Sequence, residues 1–153
     1  MLEHLALLAA SHSASVPLAD NPDLLFQAHI VSMSCVKAAS TKGVDRSQFK
    51  QSAEWIVEAD GSGMHHSSLP VTVTFPKDDD GISRGCVVQA TLASQNDQTL
   101  FLKVFEVLLE SKPVPDGDSM IWKLRTKKGR KDLEVFQDKT SAQPQIRVIG
   151  KAI

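Results

Sequence analysis

The chain contains no tyrosine, and its phenylalanines and tryptophans bring the aromatic content to only 5%. A surface that lays single-stranded nucleic acid across rows of rings uses more stacking groups than that. Two cysteines, Cys35 and Cys86, are too few for the disulfide-dense scaffold of a small secreted domain. Each lies in an apolar run where a buried free thiol is as natural as a bridge, and free thiols fit a reducing, intracellular setting. No apolar run approaches the roughly 20 residues of a membrane-spanning helix. Charge of one sign is not in excess either: 17 Lys and Arg stand against 18 Asp and Glu, a net charge of −1. A wholesale polybasic coat is thereby excluded, and an anionic partner must be met by a local patch.

Several chemical signatures are also missing. There is no G-x-S-x-G elbow, no G-x-x-x-x-G-K-[ST] loop and no G-x-G-x-x-G fingerprint, so no enzyme and no cofactor is expected. Asp78-Asp79-Asp80-Gly81 has the acidic start of a calcium loop. No acidic residue follows between Gly81 and Asp97 to close it, so it reads as a polar turn. His65 and His66 fall in a Gly/Ser-rich stretch, with His4, His12 and His29 elsewhere. No Cys, His or carboxylate spacing makes them a zinc set, and they read as loop residues. No metal site is expected.

What remains is 153 residues, 42% hydrophobic, enough for one soluble domain with a proper core. Residues 1–10 place Leu2, Leu5, Leu8 and Ala9 on one helical face. Glu3 and His4 stand where a secretory leader carries positive charge, so a short helix is preferred to a leader. Residues 11–22 are small, polar and interrupted by proline. The division expected is an N-terminal helix and arm over 1–23 and a single β-rich domain over 24–153.

In that domain, residues 24–38 carry apolar side chains on both parities, as a strand covered on both faces would. A helical turn or two is expected within 44–53, and Trp55 and Val57 resume a strand. Leu69, Val71, Val73 and Phe75 alternate with Pro70, Thr72, Thr74 and Pro76, a period of two with the prolines marking an edge or strand ends. A further strand over 85–93 carries Cys86, Val88, Ala90 and Leu92 on one side. Residues 95–97 then turn the chain into 100–109, read as the return strand of a hairpin. Helix is the rival for 100–109, since Leu100, Val104, Val107 and Leu108 would share a face. A second hairpin has Met120, Trp122 and Leu124 inward and Lys123 and Arg125 outward, and a last strand carries Ile146, Val148 and Gly150. The fold class expected is mainly β: an antiparallel meander closed as an OB-like barrel or folded as a sandwich, with at most one or two further short helices.

The most concentrated feature lies at the second hairpin. Lys123, Arg125, Lys127, Lys128, Arg130 and Lys131 put six of the 17 basic side chains within nine residues. A cationic finger of this kind suits a phosphate backbone, because each neutralised phosphate releases a counterion. Phe136 follows on the return strand as a ring for stacking. The function expected is non-enzymatic binding of single-stranded nucleic acid or another polyanion, with no membrane contact. The alternative is a structural subunit of a homo-oligomer, such as a viral or phage-like particle, assembled through residues 1–23, whose apolar arm gains order by docking.

Overall fold

A computed structural model describes residues 18–49 and 52–153. The expected N-terminal helix and most of the arm, residues 1–17, lie outside the described residues. Helix α1 spans Pro22–Ala38, a single 3-10 turn follows at Arg46–Gln48, and strands β1 (Trp55–Val57), β2 (Gly63–His66), β3 (Val71–Thr74) and β4 (Gly85–Thr91) come next. Helix α2 (Gln95–Leu109) then leads to β5 (Val114–Asp116), β6 (Ser119–Thr126), β7 (Gly129–Phe136) and β8 (Gln145–Ala152). The eight strands form one sheet in the order β1-β2-β3-β4-β8-β7-β6-β5, and every pairing is antiparallel. The mainly β, antiparallel character is as expected. The sheet is open, ending in β1 and β5, so the strand pairing does not supply the closure of a barrel.

Two segments read as strands are helices. Residues 24–38 belong to α1, whose start combines an Asn21 side chain accepting from the Leu24 N–H, Pro22 in the first turn and Asp23 beside it, with Lys37 in the last turn. These features satisfy free amides and complement the helix dipole, and they outweigh the β-branched Ile30, Val31 and Val36. Residues 100–109 belong to α2, capped by the Ser94 hydroxyl accepting from the Asp97 N–H and ended by Glu110 in the left-handed region at φ 50°. The hairpin expected across 95–97 is thus a strand-to-helix connection. Conversely, 63–66 is a strand and not part of a loop.

Both helices lie on one face of the sheet. Alternate strand residues Val71, Val73, Cys86, Val88, Ala90, Trp122, Leu133, Val135, Ile146 and Val148 are buried beneath Leu24, Ala28, Val31, Cys35, Phe101 and Phe105. Cys35 of α1 is disulfide-bonded to Cys86 of β4, the bridge being one of the two states the sequence left open, and the argument that free thiols gave for a reducing interior falls away. Closing a loop of 51 residues restricts the unfolded chain by roughly 4 kcal/mol on the chain-entropy view. Gly150, the register partner of Cys86, makes room for this contact. A Cβ there would stand 2.9 Å from Cys35 Sγ and 3.1 Å from the Val36 nitrogen.

The helices meet at buried His29. Its Nδ1 is 2.7 Å from the Leu25 carbonyl and its Nε2 is 2.9 Å from the Phe101 carbonyl. The ring stacks on Phe101 at 4.2 Å and meets Phe105 edge-on. Burial disfavours the imidazolium more than the two carbonyls favour it, so the pKa lies below the usual 6.5. The unfolded chain then binds more protons between the two values, and stability falls as pH drops below about 6.5 until the folded-state value is passed. Urea titrations from pH 7.5 to 5 are expected to show this loss in the parent chain and not in His29→Gln. Gly150→Val is expected to lower the unfolding free energy by about 1–3 kcal/mol, measured the same way, because the branched side chain lifts α1 from β8.

Candidate polyanion interface

The β6–β7 hairpin is the longest ladder in the sheet, running from the Ser119–Phe136 pair to the Thr126–Gly129 pair, with Lys127 and Lys128 as its turn. Strand parity sorts its side chains. Met120, Trp122, Leu124, Lys131, Leu133 and Val135 take the helix-covered side, while Ile121, Lys123, Arg125, Arg130, Asp132, Glu134 and Phe136 take the other. Five of the six basic residues singled out from the sequence, Lys123, Arg125, Lys127, Lys128 and Arg130, are exposed. Arg125 and Arg130 are direct register partners. Like charges so placed repel and lower hairpin stability. Among the described residues the hairpin's cations make one ion pair, Lys128 with Asp45 at 3.9 Å.

Lys131 is the correction. It is 2% exposed, and its ammonium donates to the carbonyls of Val36 and Lys37 at 2.8 and 2.9 Å. These carbonyls belong to the last turn of α1, where a helix has free acceptors and the negative end of its dipole. Burial, with repulsion from Lys128 added, holds its pKa below the usual 10.5. Lys131 therefore fastens the hairpin to the helix and does not face a ligand.

The face without helices extends the cationic patch beyond the hairpin. Lys151 of β8 pairs in register with Asp132, itself opposite Lys123, so one carboxylate sits between two lysines. One step along the sheet, Arg147 lies over the Phe136 ring at 4.3 Å. A shallow groove of about 430 Å³ runs beside this pair, lined by Thr72, Gln89, Thr91 and Gln145 among others. Sequence reading missed Arg147 and Lys151 as parts of the patch because they are remote from the hairpin in the chain. Their outward parity against Ile146 and Val148 was the available signal.

The other candidates take structural roles. Asp78 and Asp80 hold the Arg84 guanidinium at 2.9 and 2.6 Å, and the Arg84 contacts bring the Asp80 pKa down to about 2. The acidic turn is thus occupied by an internal cation. His65 and His66 are adjacent on β2 and diverge. His65 contacts Glu58 at 2.7 Å, whereas buried His66 accepts the backbone N–H groups of Ser68 and Leu69. No three His, Cys, Asp or Glu residues among those described are grouped to hold a metal, and none of the described helices is long and apolar enough to cross a membrane.

Lys131→Ala is expected to cost about 1–3 kcal/mol in urea unfolding, because the buried Val36 carbonyl and the part-buried Lys37 carbonyl lose their donor. No protein-family model, curated protein or solved structure matches the chain.

Proposed function

We propose that the protein binds a single-stranded nucleic acid, or a polyanion of similar charge spacing, along the helix-free face of its sheet, with the β6–β7 hairpin as the main contact. The observation that carries this reading is the Arg125–Arg130 pair at the head of an exposed, nearly unpaired run of cations. Two guanidiniums opposite one another weaken a hairpin on its own, and a bridging phosphate removes that penalty by giving both a shared acceptor. Lys123, Lys127, Lys128 and Lys151 are placed to continue such contacts along a backbone. Arg147 on Phe136 offers a flat cationic surface on which a base stacks. The few aromatics elsewhere make affinity depend on charge more than on stacking, and base preference weak.

Titration of a labelled oligonucleotide across ionic strength tests this. Each contact to a single strand contributes about 0.7 to the log–log salt slope, so the five exposed hairpin cations together give a slope of roughly −3 to −4. Lys127→Glu with Lys128→Glu and Arg130→Glu is expected to abolish binding at all salt concentrations, while Lys131→Met leaves the slope unchanged. Absence of binding at low salt, or binding indifferent to salt, excludes the proposal.

A further inference from the structure

Helix α1 packs on β3, β4, β7 and β8. At the β1 end of the sheet the same side is faced by the 3-10 turn and its neighbours instead. Trp55 and Val57 point to that side, since their register partners His66 and Met64 are both buried. Phe49, just past the turn, meets Phe75 edge-on at 5.4 Å. Here a pocket of about 90 Å³ opens, with Phe49, Val57, Met64 and Phe75 as its apolar wall. It has room for about three water molecules, so it takes the tip of a branched alkyl group or the edge of a ring and not a drug-sized body.

The polar part of the lining is made of donors. Arg46, Ser52 and Trp55 complete the wall. A guanidinium and an indole N–H can only donate, and Ser52 Oγ already accepts from the Glu54 N–H, which leaves its O–H to give. The Arg46 guanidinium lies over the Phe75 ring at 4.3 Å. Among the described residues it is ion-paired with no carboxylate. Its neighbour Asp45 is engaged by Ser47, Gln48 and Lys128 instead. Stacking on Phe75 orients the planar fork without using its N–H groups. A fitting ligand therefore joins an apolar body to an anionic acceptor. The flat anion that a guanidinium meets with two parallel hydrogen bonds is a carboxylate.

We infer that this pocket binds the anion of a small carboxylic acid, whose phenyl ring or branched alkyl group enters between Phe49, Met64 and Phe75 while Arg46 holds the carboxylate. The site is distinct from the polyanion face. It lies on the opposite side of the sheet, at the β1 edge, whereas the β6–β7 hairpin lies toward the β5 edge.

Tryptophan emission of the full chain tests this. Trp55 lines the pocket, whereas Trp122 is buried and its indole N–H is taken by the Ser111 carbonyl, so a ligand-dependent change reports on Trp55. The probes are phenylacetate and 3-methylbutanoate, with phenylacetamide lacking the charge and acetate lacking the apolar body. Saturable changes with dissociation constants on the order of 1 mM are expected for the two acids, and binding weaker by about tenfold or more for the amide and for acetate. Arg46→Gln is expected to weaken phenylacetate by about ten- to a hundredfold with Tm unchanged, since Arg46 is exposed. Val57→Phe, also at an exposed position, fills the pocket and is expected to abolish the signal. No saturable change with either acid at tens of millimolar would overturn the inference. So would equal affinity for phenylacetamide or acetate, a comparison that needs no variant, or full affinity retained in Arg46→Gln or in Val57→Phe.

Discussion

Helix α1 sits on the centre of the sheet at a distance set by one glycine and one disulfide. Cys35 reaches Cys86 because Gly150, beside it on the neighbouring strand, has no side chain in the way. This close approach decides which face of every strand becomes core. Once α1 is seated, Val88 and Val148 are interior, while Gln89 and Arg147, each one residue away, are on the outside. The cationic face exists because the helices occupy the other one. Phe101, Phe105 and Trp122 extend the covered side toward β6, linked through His29 to α1.

The half-buried strands were readable from alternation. Val71 and Val73, Cys86 to Ala90, Met120 to Leu124, and Ile146 to Gly150 each present one parity to the helices and the other to solvent. The helices were harder to read because α1 is buried over a wide arc. Leu24, Leu25, Ala28, His29, Val31, Ser32, Cys35 and Val36 are all covered, and such an arc puts apolar residues on both strand parities. The deciding information was at the ends, in Asn21-Pro22-Asp23 and in Ser94 three residues before Asp97, where capping chemistry outranks side-chain branching. β2 escaped notice since Gly63 and two histidines resemble a loop, yet its register with β3 buries Met64 and His66.

The cationic hairpin was legible as composition, and its division of labour only partly so. Lys131 has the parity of Leu133 and Val135, which places it among buried residues. Nothing local to 123–131 says that helix carbonyls wait there, because they come from residues 36 and 37. Arg147 and Lys151 join the patch through strand order alone. A long-range pairing of β7 with β8 assembles a surface that no single stretch of the sequence contains.

The bond between Lys131 and the end of α1 makes the hairpin a braced cantilever rather than a hinged flap. It is clamped at the third residue of β7, close to the turn, and the free portion beyond, from Arg125 through Lys128 to Arg130, is short and stiffened by its own ladder. A load applied at the tip is therefore transmitted into the helix that carries the disulfide instead of being absorbed by bending. A partner bound at the tip would meet a surface shaped beforehand, and little freedom would be given up on contact.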